Sequence, residues 1–195
     1  VCNSVQRVYV HKAVYDDFLS LLVGRVKSLK VGDPLDPATD VGPMISEAAA
    51  KRAEQWVGEA VERGAKLLCG GRRIERALFE PTVLADVPED CTIMRREAFA
   101  PVVCVNPIGS LDEGIERAND SIYGLQAGIF TNRLRDALEA ARRLQFGGVF
   151  VNEVSQFRVD QMPYGGVKWS GMGREGMKFA MEEMTEIRVV GIDLR

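Results

Sequence analysis

The residue best suited to covalent chemistry is Cys2, set in the opening stretch Val1-Cys2-Asn3-Ser4-Val5-Gln6-Arg7. There a thiol stands among hydrogen-bonding neighbours just before an apolar run. A thiolate attacks carbonyl carbon readily, whereas a cysteine taken alone more often packs as a small hydrophobe. The reading of Cys2 therefore depends on its company. The only histidine is His11, on the strand-like run leading away from Cys2. A Cys-His or Ser-His-Asp arrangement would have to use that one ring. The four cysteines, Cys2, Cys69, Cys91 and Cys104, lack C-x-x-C spacing, and with one histidine they build no metal-ligand cluster. They read as thiols, with Cys69 and Cys104 in apolar strand-like segments that suit core packing.

Two further stretches could hold a ligand. Met94-Arg95-Arg96-Glu97-Ala98-Phe99-Ala100-Pro101 leads into the apolar run Val102 to Val105, where a loop meets the end of a sheet. Glu97 is there either a surface carboxylate paired with Arg95 or Arg96, or one that holds a ribose hydroxyl pair with Phe99 beside a flat ring. From Asn152 to Gly173 the periodicity breaks into a long segment that is too aromatic for disorder and too long for a plain connector. The pattern Gly171-x-Gly173-x-x-Gly176 matches a dinucleotide fingerprint, but it follows an irregular loop instead of a strand. A tight turn into the last helix is the simpler use of those glycines.

The elements that must position these residues alternate. Val5 to Val10 reads as a strand, followed by a helix with Val14, Phe18, Leu21, Leu22, Val26 and Leu29 on one face, ended by Gly32-Asp33-Pro34. A helix from about Ser46 to Arg63 turns Ala53, Trp56, Val57, Ala60 and Val61 inward. The strand Lys66 to Cys69 and the extended piece Pro81 to Leu84 come next. Ser110-Leu111-Asp112-Glu113 is a capping box, the serine accepting from the Glu113 amide while Glu113 reaches back to the serine amide; the helix runs to Asn119. A strand from Gly124 to Phe130, a helix from Leu134 to Leu144 with Leu134, Leu138, Ala141 and Leu144 inward, and a strand from Gly148 to Val151 follow. The pattern predicts an α/β fold with a mostly parallel sheet flanked by helices. A helix from Arg174 to Met184 and an alternating strand from Glu186 to Leu194 close the chain. With no later helix to cover it, that strand is a candidate for pairing across a subunit interface.

Composition narrows the function classes. With 46% hydrophobic and 27% charged residues, 195 residues can bury one substantial core. A net charge of -3 supplies no basic field, so nucleic acid is not an expected partner. No apolar run approaches the ~18 residues of a spanning helix and no signal-peptide pattern is present, which points to the cytosol and away from membranes. Because the chain opens on Val1 without an initiator methionine, it is expected to be the downstream part of a longer protein.

Taken together and in order, these residues resemble the aldehyde dehydrogenase superfamily. The family's nucleophile segment has a cysteine followed closely by Ser-Arg or Gln-Arg, as in Cys2 to Arg7, and its cofactor loop is similar to Glu97-Ala98-Phe99-Ala100-Pro101, with Ala100 where glycine is usual. Asn119-Asp120-Ser121-Ile122-Tyr123-Gly124-Leu125, Pro163-Tyr164-Gly165-Gly166-Val167-Lys168 and Ser170-Gly171-Met172-Gly173-Arg174-Glu175 also look like family motifs. The resemblance implies that Cys2 attacks an aldehyde, with the oxyanion held by the Cys2 amide and an asparagine side chain. Hydride passes to NAD or NADP, and the thioester is hydrolysed with a glutamate base. It implies that Glu97 binds the nicotinamide ribose and that Phe99 borders the nicotinamide. The loop Val154 to Pro163 would line the aldehyde entry, with Gln156, Phe157, Arg158 and Tyr164 as substrate-contact residues. Arg158 would favour a small anionic or hydroxylated aldehyde. Residues 1-184 would be the catalytic domain and 185-195 an oligomerisation strand of a homodimer or homotetramer. The family's oxyanion asparagine, base glutamate and most of its cofactor domain lie upstream of the cysteine, so these 195 residues alone are expected to be inactive. Two rival readings are a Cys2-dependent hydrolase or acyltransferase that uses His11, and a non-catalytic assembly domain.

Overall fold

The computed structural model describes all residues, 1–195. The chain divides into two compact units, Val1–Ser121 and Ile122–Arg195.

In the first unit, β1 (Arg7–His11) passes through a short 3-10 turn into α1 (Tyr15–Lys27), and α2 (Glu47–Glu62) leads to β2 (Lys66–Cys69). The hairpin strands β3 (Arg73–Glu75) and β4 (Leu78–Phe79), then β5 (Thr82–Ala85), α3 (Thr92–Arg95), β6 (Val102–Ile108) and α4 (Leu111–Asn119) complete it. The main sheet has the order β1-β6-β5-β2. β6 is parallel to both β1 and β5, and only the edge strand β2 is antiparallel. The central strands are covered on both faces, which is why they read as nearly continuous apolar runs. Along β6, Val102 and Cys104 belong to a core with Ala50, Ala53, Val57 and Ala60 of α2. Val105 joins Val10 and Val83 in a second core, against Phe18, Leu19, Leu22, Val23 and Val26 of α1. Each fully buried valine of this kind contributes about 1.5–3 kcal/mol.

The inward face of α1 differs from the one the spacing suggested. Val14, Leu21 and Leu29 are exposed, and Tyr15, Leu19 and Val23 take their place beside Phe18, Leu22 and Val26. Two overlapping apolar stripes satisfy the helical period, and the sheet's surface selects between them. On α2, Ala53, Val57 and Ala60 are inward as expected, Trp56 is partly buried, and Val61 is exposed. Ser46 caps α2 by accepting from the Ala49 amide at 3.1 Å. At α4 the Ser110 hydroxyl accepts from the Glu113 amide at 3.2 Å, but Glu113 reaches one residue further back than a capping box requires, to the Gly109 amide at 2.8 Å. Helix α1 ends earlier than Gly32, at Lys27.

One polar network crosses this core. Asn106 in β6 is buried and its amide pairs with Val87 like another strand, donating to the carbonyl and accepting from the N–H, both at 2.7 Å. It also donates to Glu89 at 3.0 Å, and Glu89 binds Arg117 of α4, whose guanidinium lies 4.9 Å from the Tyr9 ring centroid.

The second unit holds β7 (Gln126–Ile129), α5 (Leu134–Arg143), β8 (Gly148–Val151), a 3-10 turn at Lys168–Ser170 and α6 (Met177–Glu183). β7 and β8 pair parallel in a sheet of their own, so the parallel strands are split between two sheets. The face assigned to α5 is corrected: Leu134 and Leu138 are 74% and 62% exposed, and Ala141 is exposed too. Ala137 and Ala140 are the buried positions, because small side chains let the helix approach its sheet closely. Gly171, Gly173 and Gly176 all have positive φ, and Gly176 caps α6, in keeping with a turn. Residues 186–194 form no strand. A strand exists only through a partner, and within this chain the segment has none. No helix is long and apolar enough to cross a membrane.

Burial and the Glu89 carboxylate push the Tyr9 phenol up to about 12, and burial pushes the Cys104 thiol up to about 12. Each native group holds its proton more tightly than the unfolded chain does. The associated stability is therefore intact below the ordinary values of 9.0 for the thiol and 10.0 for the phenol, and drains away as pH climbs toward 12. From pH 7 to pH 9.0 the urea midpoint should stay level, and above pH 9.0 it should fall steadily. A midpoint that holds to pH 12 would contradict the buried placement of both groups.

Candidate active site

The parallel register of β1 and β6, Arg7 opposite Cys104, brings the lead-ins of both strands to the same end of the sheet. One lead-in carries Cys2 and the other carries Glu97 and Phe99. This is the amino end of the strands, not the carboxyl end where open α/β sheets usually gather ligands. The Gln6 side chain joins the two segments. Its amide nitrogen donates to the carbonyls of Ile93 at 2.6 Å and Arg96 at 2.7 Å, and its oxygen accepts from the Ala98 amide at 3.0 Å. The Gln6 carbonyl accepts from the Cys104 amide, and Arg7 donates to the Met94 carbonyl.

The opposite flank of the 89–98 loop is held by α2. Arg63 binds Asp90 at 2.5 Å and keeps its carboxyl below the usual range, while Glu59 accepts from the Thr92 amide at 3.1 Å. With its backbone fixed from both sides, the loop presents its functional side chains outward. Cys2 and Glu97 are exposed, and Phe99 is 56% exposed. Arg95 pairs with Asp120 and not with Glu97. Phe99 has φ of 49°, a left-handed conformation that costs a bulky residue of order 1–3 kcal/mol and is held only where surroundings impose it. Ala100 lies outside the positive-φ region and packs against the core, so this position does not require glycine. The braced loop thus carries an exposed carboxylate and an exposed aromatic ring side by side.

His11 is at the far end of β1 from the Cys2 lead-in. One ring nitrogen accepts from the Ala13 amide at 3.2 Å and the other is 3.2 Å from the Gly109 carbonyl. The imidazole is thus a local cap and is not placed to activate Cys2. Cys91 and Cys104 are buried, as the core reading of Cys104 anticipated, while Cys69 is only half-buried.

In the second unit the long segment after β8 has its own order. Asn152, in a left-handed conformation, donates its amide to Ile129 at 2.7 Å and accepts from the Thr131 amide at 2.8 Å. Phe157 meets Phe150 edge-on at 5.6 Å, and Gln156 is exposed. Tyr164 is 4% exposed beneath the Arg158 guanidinium, 4.3 Å from its ring centroid. Arg158 also pairs with Glu175 at 3.0 Å, and Glu175 exchanges backbone hydrogen bonds with Tyr164. Arg158 and Tyr164 are therefore brought together, with Tyr164 a platform for Arg158 more than an open contact, while Phe157 packs on Phe150. A Cβ on Gly147 would come 1.8 Å from the Gly165 carbonyl oxygen, so this close approach of the Tyr164 loop demands glycine.

Sequence reasoning missed two residues. Gln6 entered only as part of a motif, although an amide just inside a strand is an available signal for a bridge needing both donors and an acceptor. Glu175, the partner of Arg158, also entered only as part of a motif, and nothing local signals its pairing.

The Aldehyde dehydrogenase family profile matches residues 1–190. The chain belongs to the aldehyde dehydrogenase family. It is 50% identical to a 3-sulfolactaldehyde dehydrogenase of Priestia aryabhattai, across 100% of this chain and 40% of that protein. Among solved structures, aldehyde dehydrogenase 21 of Physcomitrella patens, in complex with succinate, matches with a TM-score of 0.93 at 46% identity, over 95% of this chain and 38% of that one. A glyceraldehyde-3-phosphate dehydrogenase of Methanocaldococcus jannaschii, complexed with NADP, also gives 0.93, at 47% identity over 96% and 41% of the two chains. This aldehyde dehydrogenase chain spans about 40% of the length of the curated relatives it matches.

Exposure orders the thiols of this aldehyde dehydrogenase chain. Iodoacetamide on the native protein should modify Cys2 first and Cys69 slowly, leaving Cys91 and Cys104 unmodified until the protein is unfolded, and His11→Ala should not change the Cys2 rate. Peptide mass mapping reads the order. Early labelling of Cys104, or a Cys2 rate that collapses in His11→Ala, would count against the site drawn above.

Proposed function

We propose that this chain carries the nucleophile and the ribose-binding loop of an NAD(P)-dependent dehydrogenase that oxidises an aldehyde to a carboxylic acid. The observation that carries it is the exposed Cys2 thiol on a strand lead-in hydrogen-bonded to the loop that presents Glu97 and Phe99. The Cys2 thiolate adds to the carbonyl carbon, forming a C–S bond and an oxyanion beside the Cys2 amide. The bound nicotinamide cofactor, NAD or NADP, supplies the hydride acceptor. Glu97 would hold the ribose through its hydroxyls and Phe99 would border the nicotinamide, which would take up the hydride lost when the carbon on Cys2 becomes a thioester. Water then breaks the C–S bond, releasing the acid and restoring the thiol. Sulfur is suited to both halves, since it attacks readily and leaves more readily than alkoxide.

For the substrate we propose a small anionic or hydroxylated aldehyde, contacted by Gln156, Phe157 and Arg158 with Tyr164 supporting the arginine. The sulfonate of the substrate named for the Priestia relative belongs to this class. Because Arg158 already pairs with Glu175, an anionic group would share or displace that carboxylate. The oxyanion asparagine and base glutamate expected for the family are not supplied by these 195 residues, so we propose that the chain alone is inactive. In a NAD(P)-linked assay it should show no turnover above its Cys2→Ala variant. A full-length dehydrogenase carrying this chain should be active, lose activity by at least about a thousandfold with Cys2→Ala, and lose preference for anionic over neutral aldehydes by about tenfold with Arg158→Ala. Unchanged preference would remove Arg158 from the substrate's surroundings, and an active Cys2→Ala enzyme would end the proposal.

We also place the protein in the cytosol, where its four thiols would stay reduced, as a homodimer or homotetramer joined through residues 185–195. Ile187, Val189, Val190, Ile192 and Leu194 are exposed in that segment, apolar surface that a partner strand could cover. Light scattering should report a smaller particle when residues 185–195 are deleted; an unchanged mass would mean that assembly is built elsewhere.

A further inference from the structure

We infer that Gln6 is a positioning residue that sets the Glu97–Phe99 loop against the segment bearing the nucleophile, and so controls how tightly the nicotinamide cofactor is held. The inference rests on the functional reading above for its cofactor part. Gln6 satisfies three backbone groups of one loop with one side chain, two carbonyls through its nitrogen and one amide through its oxygen. Those groups lie 87 to 92 residues away in sequence, so the side chain sets a tertiary distance and not a local turn. The anchored residues, Ile93, Arg96 and Ala98, bracket Glu97 and lead directly into Phe99. The left-handed Phe99 backbone needs this kind of external restraint, because nothing in its own sequence favours the conformation.

The carboxamide chemistry is specific. A glutamate at this position would accept from Ala98 but would set oxygen against the Ile93 and Arg96 carbonyls, and a leucine of similar size would satisfy none of the three groups. Gln6 touches neither thiol nor cofactor in this scheme and acts only through the loop it holds.

The experiment compares Gln6→Leu and Gln6→Glu with wild type, and with Ser110→Ala as a variant that loses a helix cap far from the loop. In the full-length dehydrogenase carrying this chain, both Gln6 variants should raise KM for NAD or NADP by about tenfold while the aldehyde KM stays within about twofold, and Ser110→Ala should move neither. In the 195-residue chain, hydrogen exchange at the Ala98 amide should speed up by about tenfold or more in Gln6→Leu, with exchange at Val87 unchanged. An unaltered cofactor KM in an active enzyme, or unaltered exchange at Ala98, overturns the inference. If wild type oxidises no aldehyde with either cofactor, it is the functional reading that has failed. The Ala98 exchange then decides the role of Gln6 by itself.

Discussion

The parallel pairing of β1 with β6 is the constraint on which the first unit depends. Parallel neighbours begin at the same sheet edge, so two lead-ins nearly a hundred residues apart in sequence arrive there together. Register does the coarse placement, and the Gln6 amide and Arg7 guanidinium do the fine placement. The chemistry at that edge can then be carried by exposed side chains, because their backbones are already fixed from two sides.

The opposite character of the two strand ends follows from the same arrangement. Toward the carboxyl ends of β1 and β6, polar groups are paired inward: Asn106 with Val87, Glu89 with Arg117, Tyr9 over the same guanidinium. Those bonds rigidify the sheet and leave little to offer a ligand. At the amino ends the inward-facing polar atoms belong to the backbone brace, and Cys2, Glu97 and Phe99 are left facing solvent. A strained Phe99 is tolerable there because the well-packed layers beneath contribute far more than the strain removes.

Much of this was legible in the sequence. The strand at Val102 to Val105 and the Ser110 cap depend on neighbours a few residues away, and the residue types announce them. The ordered motifs gave the family because their chemistry is carried by residue type and order. What was not legible depends on distant partners. On α1 two stripes fit the helical period, and only the sheet's relief chose Tyr15, Leu19 and Val23 over Val14, Leu21 and Leu29. On α5 the larger side chains suggested the inward face, yet closeness of approach favoured Ala137 and Ala140. The strand expected at 186–194 has the right alternation and no partner within the chain, so pattern alone could not make it a strand. The pairing of Arg158 with Glu175 was not legible because the two lie 17 residues apart.

Ala100 has an effect that no contact in the folded chain displays. Its backbone lies outside the left-handed region, and a methyl group there meets the core without strain. A glycine could fold into the same loop, but it would explore many more conformations whenever the protein is unfolded. The alanine narrows that ensemble, which by general measure is worth about 0.4–1 kcal/mol in favour of the native state. Part of the loop's order is thus written into the disordered chain, before any of its hydrogen bonds have formed.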